Sequence, residues 1–468
     1  MGSRAIALAS GVVSLVASFM FALVVTRRLL PQDLALLAVV NTAVAIATTV
    51  AGYASAWYPR ILSREPNAYG ELLAAGLILA AVGWAAGVFY ILLFSPWLAA
   101  GLEILTLYLA VTLLSTTPAA AYLSVHRQRL SALLSLAAQA IKMGGVWAVR
   151  MWPTAASVLL LNALMSLPTA LAVRARPRLN LKTFKTLAAG APFQTLVLLT
   201  TLAGSTVVYA IAAAGGDTAL YYNMLLFQMS KALYPALSIV PLMYGSMLTS
   251  GVERRALIDG AIYTAVLLAV SATMLNSPQV FLALLRPQEV ENDALLTAVR
   301  INAIALILWG FALHHAWPTL MAEEKKTIIS TRDKPSRALA LELAATPAVA
   351  ILHYLAVLHH GAVGLAAAGT IWGLYTLAVK LRYVEIRRAL ATRLYLPTAL
   401  ALGVTTLLPP LPHTPRVEVI NAVVDAALHA AYYTAPAYLT MAVISQPFRQ
   451  LAIYTIKKLL TPSEILTR

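Results

Sequence analysis

Long apolar runs alternate with short polar segments along almost the whole chain. About 20 apolar residues cross the ~30 Å hydrocarbon layer of a bilayer as a helix, and fourteen runs suit this length. They lie near residues 5–26, 34–58, 71–94, 102–124, 131–149, 153–173, 188–213, 218–248, 256–285, 294–320, 337–358, 361–381, 394–410 and 418–446. The pattern predicts an all-α polytopic membrane protein with about 14 transmembrane helices. The final segment, "FRQLAIYTIKKLL", suits a helix that lies on the membrane surface.

Composition supports the membrane class. Hydrophobic residues make up 60% of the chain and charged residues only 11%, whereas a soluble domain has about 25% charged residues. The chain has no cysteine, which excludes disulfides, thiolate metal sites and a cysteine nucleophile. The first apolar run is too long for the core of a signal peptide, so we expect a retained helix.

The net charge of +16 is distributed unevenly between the two predicted faces. With the N-terminus in the cytoplasm, 26 of the 34 basic residues fall in inside segments. The five outside are Arg27, Arg28, Arg150, Arg286 and Arg416. Because cytoplasmic loops are enriched in Lys and Arg, we expect a multi-pass plasma-membrane protein with both termini in the cytoplasm.

The remaining three basic residues, Lys142, Lys231 and Arg300, lie within predicted spans. Lys142 lies only ~3 Å from the centre of its span, and a charge facing lipid there costs about 2.5–3.5 kcal/mol. Each lysine therefore pairs with a carboxylate or lines a water-filled, cationic cavity. We favour the cavity because the acids within spans lie mostly toward helix ends. Arg300 is closer to the outer boundary, where its side chain can also extend to the headgroups.

The arginine pair Arg27 and Arg28 ends the first span, just before "LLPQD". Pro31 favours a turn, and Asp33 is predicted to cap the next helix by accepting its first free amides. Such a pair can be an interfacial anchor. The short turn leads us to expect it near the outer mouth of the cavity instead.

Two prolines follow the central lysine of the eighth span. Pro235 has no amide hydrogen, so the carbonyl of Lys231 loses its helical partner and the helix can kink. Pro241 repeats the effect six residues later. We predict a hinge that contacts substrate, although prolines in membrane helices are more often only structural.

An internal repeat indicates two parallel lobes. "QDLALLAVVN", 32–41, matches "GDTALYYNML", 216–225, at an offset of 184 residues and six helices. An even number of helices gives both copies the same orientation, so we expect two six-helix lobes around a central cleft. The predicted boundaries are 1–180 for the N-terminal lobe, 186–385 for the C-terminal lobe and 386–468 for two further helices and the tail.

Three stretches resemble a known family. "TRRLLPQDLALL" resembles the first-loop signature of polysaccharide exporters in the multidrug/oligosaccharidyl-lipid/polysaccharide exporter superfamily, with Arg27, Pro31 and Asp33 at matching positions. Leu30 and Ala35 stand where the family usually has glycines. "GYASAWYPR", 52–60, resembles the close of the family's second helix, and "APFQTLV", 191–197, with "TALYYNMLL", 218–226, resembles the start of its second half.

The resemblance implies a flippase that moves a polyprenyl or dolichyl phosphate or pyrophosphate oligosaccharide from the cytoplasmic to the outer leaflet by alternating access. The positive charges that bind its phosphate would come from five residues: Arg27, Arg28, Lys142, Lys231 and Arg300. Expected partners are the lipid-linked sugar and membrane lipids, without nucleic acid, and we expect a monomer. No enzymatic activity, catalytic residue, metal or cofactor is expected.

Two other functions stay open. A cation-coupled multidrug antiporter of the same superfamily would need an acidic cavity, and Asp425 with His429, one helical turn apart, could serve it as a proton site. A membrane glycosyltransferase would need acidic metal ligands. The acidic cluster in "PQEVEND", formed by Glu289, Glu291 and Asp293, occupies only a short loop.

Overall fold

The computed structural model describes residues 17–18, 20–55, 57–62, 65–94, 113, 118–172, 175–230, 244, 247, 251–324, 326, 328–412 and 419–460. These residues form helices joined by short turns, and no strand occurs among them. Six of the described helical stretches are long and apolar enough to cross a membrane. The all-α, multi-spanning class is therefore confirmed, whereas the number of fourteen spans stays a prediction.

Nine helices are described in the first half of the chain. They are α1 (20–28), α2 (Pro31–Ala51), α3 (Tyr58–Leu62), α4 (Tyr69–Phe94), α5 (Pro118–His126), α6 (Gln128–Met151), α7 (Ala155–Leu171), α8 (Leu181–Ala189) and α9 (Ala191–Ser230).

The described part of the second half includes two π turns. The helices are α10 (Val252–Asn276), α11 (Pro278–Leu285), α12 (Asp293–Phe311), α13 (Trp317–Glu323), α14 (Lys334–Tyr383), α15 (Arg387–Leu390), α16 (Leu396–Thr405), α17 (Val419–Ile444) and α18 (Gln446–Leu460). One π turn, Ala312–Ala316, joins α12 to α13, and the other, Ala391–Tyr395, joins α15 to α16.

Helices α9 and α14 each contain a glycine at which the chain bends. Gly216 has φ 56° and Gly361 has φ 51°, a left-handed conformation that residues with a Cβ rarely adopt. A Cβ on Gly364 would overlap the carbonyl of Ala356, eight residues earlier, so the chain folds back on itself at Gly361. Gly216 lies between the predicted spans near 188–213 and 218–248, and Gly361 is the first residue of the predicted span near 361–381.

The chain divides into two compact units. The first unit contains Gly2–Leu225 with Lys325–Ile351, and the second contains Leu226–Glu324 with Leu352–Arg468. The lobe boundaries predicted from the repeat stay predictions. Within the first unit the two repeated segments contact each other, because the Asn41 amide donates to Met224 Sδ at 3.6 Å.

Small residues allow close packing of helices within each unit. A Cβ on Gly83 of α4 would lie 2.5 Å from the Ala47 carbonyl oxygen of α2, so these two helices meet backbone to backbone. In the second unit, a Cβ on Gly310 of α12 would lie 2.7 Å from Leu267 Cδ2 of α10. Close packing of helices thus occurs within both units, including α12, which carries Arg300.

Candidate functional site

Lys142 lies half-buried on α6 in the first unit. Its Nζ donates a hydrogen bond of 2.8 Å to Ser18 Oγ and lies 5.1 Å from the centre of the Phe21 ring on α1. Among the residues that the structure describes, no carboxylate forms an ion pair with this ammonium group. Neutral groups therefore hold the charge: a hydroxyl oxygen and the negative face of an aromatic ring.

A second polar side chain lies one turn before Lys142 on the same face of α6. Gln139 Oε1 is buried and accepts no hydrogen bond from the described part of the chain. Residues three apart on a helix are neighbours, so an ammonium donor and a carbonyl acceptor lie side by side. Three residues after Lys142, Gly145 allows a close approach of α7, because a Cβ there would lie 2.7 Å from Leu161 Cδ2.

The turn that the sequence places at the outer face, residues 27–33, is as short as predicted. Helix α1 ends at residue 28 and α2 begins at Pro31, so only two residues connect them. Arg27 is half-buried and Arg28 is exposed. Both guanidinium groups belong to the last turn of α1, where cations interact favourably with the helix dipole.

The predicted role of Asp33 is wrong. Helix α2 begins at Pro31, with Leu30 as its N-cap and no side-chain cap, so Asp33 lies inside the first turn. Proline is well suited to the first helical position, and it shifts the start of the helix away from the aspartate. Asp33 Oδ1 instead accepts a hydrogen bond of 3.1 Å from the amide of Ala155, the first residue of α7.

The other predicted cations are not brought together by the described residues. Arg300 is exposed on the second turn of α12, in the second unit. Lys231 and the two hinge prolines, Pro235 and Pro241, lie outside the described residues. The convergence of all five cations on one cavity stays a prediction.

Two of the motifs that resemble the exporter family contact each other in the first unit. Tyr53 Oη donates to the Ala191 carbonyl at 2.8 Å and is 2.7 Å from Thr195 Oγ1. The Trp57 and Phe193 rings lie 5.9 Å apart. We name these five residues the α2–α9 contact.

A glycine makes room for the α2–α9 contact. A Cβ on Gly190, just before α9, would lie 2.6 Å from Trp57 Cε2. Trp57 is almost completely buried, so its indole cannot move toward solvent without opening the packing around it.

Buried polar residues of the second unit were missed by the sequence analysis. His315 has no exposed surface; its ring nitrogens lie 2.7 Å from Tyr395 Oη and 2.9 Å from the Ala256 carbonyl oxygen. These contacts join the two π turns, since His315 belongs to one and Tyr395 to the other. A histidine in one apolar stretch and a tyrosine in a distant one do not by themselves predict this pairing.

Lys380, assigned to a cytoplasmic segment by its charge, is only 2% exposed. Its Nζ lies 5.5 Å from the centre of the Trp317 ring. The predicted span near 361–381 includes Lys380, and this position could have marked it as a buried cation.

The residues proposed for the alternative functions also have structural partners. His429 Nδ1 lies 2.7 Å from Ser277 Oγ at the start of α11, and its side chain is 4% exposed. In the acidic loop, Glu289 accepts from the Asn292 amide at 3.0 Å. Within the described ranges, no group of three or more histidine or acidic side chains is arranged to hold a metal ion.

One ion pair is described in the loop between α13 and α14. Lys326 Nζ lies 2.5 Å from Asp333 Oδ1, and the Ser330 amide donates to Asp333 Oδ2 at 2.7 Å. Burial raises the pKa of Asp333, but the bonds from Lys326 and Ser330 favour the carboxylate and lower the pKa overall. The loop is therefore held by a carboxylate that stays ionised below its usual pH range.

Comparisons with known proteins identify the fold. No family model matches the chain, and no curated protein matches it. Among solved structures, the lipid II flippase MurJ in an inward closed conformation superposes with a TM-score of 0.61 and 12% identity, covering 93% of this chain and 98% of that one.

Two MATE proteins are also similar. An inward-facing multidrug resistance transporter of the MATE family has a TM-score of 0.53 and 14% identity, covering 82% of this chain and 98% of that one. A MATE protein in complex with Br-NRF has a TM-score of 0.50 and 13% identity, covering 82% and 97%. The chain thus has the fold of a multi-pass membrane transporter. One of these structures is described as a member of the MOP superfamily, so the likeness in fold agrees with the resemblance found in the sequence.

Proposed function

We propose that the protein is a flippase that carries a lipid-linked oligosaccharide, attached through a phosphate or pyrophosphate, from the cytoplasmic to the outer leaflet. The sugar and the phosphate are hydrated and cannot cross hydrocarbon without polar groups that replace their water. The lipid tail can stay in the bilayer while the headgroup passes through a cationic cavity.

The observation that carries this proposal is the setting of Lys142. A buried lysine with a structural role is usually paired with a carboxylate, which neutralises its charge. Lys142 is held instead by Ser18 and Phe21, neither of which carries a charge. Its ammonium keeps its positive charge available for an anionic headgroup, and the neighbouring Gln139 oxygen can accept from a sugar hydroxyl.

The arginines would act at the outer end of the path. Arg27 and Arg28 end α1, just before a connection of only two residues to α2, and this limits the freedom of their backbone. Guanidinium groups bind phosphate oxygens through two parallel hydrogen bonds, whereas an ammonium acts as a movable point charge. We propose that Lys142 and Lys231 accompany the phosphate through the membrane, and that the outer arginines and Arg300 receive it.

Transport would proceed by alternating access and would need no nucleotide. Because the cell interior is negative, outward movement of an anion is favourable by about 2.3 kcal/mol per charge per 100 mV. We therefore expect flipping in proteoliposomes to accelerate when the inside is made negative. Flipping that responds neither to the potential nor to an ion gradient would contradict this account of the driving force.

The multidrug antiporter is the second candidate, because MATE transporters share the fold. Organic cations would be repelled by Lys142 and attracted by a carboxylate. Purified protein in proteoliposomes should be given a fluorescent polyprenyl-pyrophosphate sugar and, separately, a fluorescent organic cation. Translocation of the sugar lipid, weakened by Lys142→Glu, supports the flippase. Transport of the organic cation that persists or increases in Lys142→Glu would favour the antiporter.

A further inference from the structure

The polypeptide between α7 and α9 is fastened to the start of α4. We name residues 175–189, which include α8, the linker segment. The Arg178 amide donates to the Gly70 carbonyl at 2.9 Å. Asn180 Nδ2 donates to Glu71 Oε1 at 2.7 Å, and the Thr183 hydroxyl donates to the other oxygen of the same carboxylate.

The approach of the linker segment to α4 depends on Gly70. A Cβ at this position would lie 2.9 Å from the Arg176 carbonyl oxygen. Asn180 also caps α8, since its Oδ1 accepts from the Lys182 amide at 2.9 Å. Both the position of the segment and the start of its helix are therefore fixed by hydrogen bonds.

Two leucines of the fastened segment face away from the protein. Leu179 is 79% exposed and Leu181 is 71% exposed. Each leucine lies next to Asn180, whose side chain is held by Glu71. Two exposed leucines so close together form an apolar patch that can contact a lipid surface or another protein.

Within the linker segment, every charged residue near these leucines is basic. The sequence from 175 to 189 contains no acidic residue. Its basic side chains are all exposed: Arg176, Arg178, Lys182 and Lys185. Exposed leucines flanked by cations are the pattern of segments that lie at the boundary between acyl chains and anionic headgroups.

We propose that the linker segment is a docking surface for anionic phospholipids of the cytoplasmic leaflet. Its attachment to the first turn of α4, the end of that span assigned to the cytoplasm by charge, sets the segment at headgroup depth. Leu179 and Leu181 enter the acyl region, and the four cations bind lipid phosphates. The Glu71 carboxylate holds this arrangement on the protein side.

The absence of cysteine from the chain allows a direct test. A Leu181→Cys variant carries a single thiol that can be labelled with an environment-sensitive fluorophore. Arg332→Cys, an exposed position of the charged loop before α14, is the matched control. Both full-length proteins are placed in nanodiscs of phosphatidylcholine, with or without phosphatidylglycerol.

We expect the label at 181 to be blue-shifted and quenched by shallow nitroxide lipids, more strongly when phosphatidylglycerol is present. The label at 332 should remain solvent-like. Replacing Lys182 or Lys185 by alanine should weaken the dependence on phosphatidylglycerol by up to about fivefold per cation. Glu71→Gln, which loses one acceptor, should broaden the depth distribution of the label without changing the preference for anionic lipid.

Two results would overturn the proposal. A solvent-like signal at 181 in both kinds of nanodisc would show that the leucines do not enter the bilayer. Shielding of the label that is independent of lipid composition would assign the leucines to a protein contact, such as a second copy of the chain. Neither result depends on the transported substrate, so the test is separate from that of the flippase.

Discussion

Replacement of Lys142 by methionine separates a transport role from a structural one. Methionine keeps an unbranched stem but removes the charge and the donor to Ser18 Oγ. The hydrogen bond contributes about 1.5–3 kcal/mol and the contact with the Phe21 ring about 0.5–1 kcal/mol. Removal of the ammonium charge from a membrane span removes an unfavourable free energy of about 2.5–3.5 kcal/mol. These opposing contributions cancel to within about 1.5 kcal/mol, so Lys142→Met should fold almost as stably as the parent.

Transport should respond very differently. Loss of one charge-assisted hydrogen bond to a phosphate costs about 1.5–3 kcal/mol, which corresponds to about 10- to 150-fold in the rate of flipping at low substrate. The assay is translocation of a fluorescent polyprenyl-pyrophosphate sugar in proteoliposomes, with the unfolding temperature measured on the same preparations. Lys142→Arg should retain much of the activity because it keeps the charge.

Lys334→Met is the control for surface charge. Lys334 is exposed at the start of α14, and its replacement should change neither transport nor unfolding by much. The reasoning is refuted if Lys142→Met flips the sugar lipid at the parental rate. It is also refuted if the variant unfolds many degrees earlier, because Lys142 would then be a structural residue.

Three further predictions concern the fold. Gly190→Ala should lower the free energy of unfolding by about 1–3 kcal/mol, because the new Cβ displaces the buried Trp57 indole. Gly361→Ala should cost about 1–3 kcal/mol through its positive φ alone. For both, the matched control is Gly403→Ala in α16, where a Cβ meets nothing within 4 Å. This control should be neutral or stabilising by up to about 1 kcal/mol. If thermal unfolding shows that Gly190→Ala and Gly361→Ala are no less stable than the control, the argument from packing and backbone conformation is contradicted. The pKa of Asp333 is lower in the folded protein than in the unfolded chain. The stabilisation of its loop should therefore be complete at a pH above the ordinary carboxyl pKa and should be lost as the pH falls through the lowered pKa. Hydrogen exchange of the loop amides measures this, and Asp333→Asn should remove the dependence.

The sequence predicted the class of fold because hydrocarbon imposes a strong constraint. A membrane span must form all its backbone hydrogen bonds within the helix and remain apolar for about 20 residues. Both requirements appear in the sequence, as a high hydrophobic content and as apolar runs of regular length. The glycines that bend α9 and α14 also fall at the predicted limits of spans, since Gly216 lies in a gap and Gly361 begins a span. Their left-handed backbone is a local property of residues that lack a Cβ.

The contacts of the site could not be predicted in the same way. Asp33 was expected to cap its own helix, but Pro31 moved the helix start and the carboxylate bonds to Ala155 instead. The partner lies 122 positions away, and no local pattern encodes such a distance. Lys380 was assigned by charge to a cytoplasmic segment, although its aromatic neighbour Trp317 comes from a distant helix.

The α2–α9 contact constrains how related sequences can vary. Tyr53 bonds to a main-chain oxygen of residue 191, which is retained whatever side chain that residue carries. Selection on this hydrogen bond therefore acts on residue 53 only. The side chain at position 191 can vary among related proteins, whereas a side chain with a hydroxyl group is retained at position 53. Position 190 has the opposite restriction, because any side chain there competes for volume with Trp57. Among homologues we expect a bulkier residue at 190 to appear only together with a smaller ring at 57.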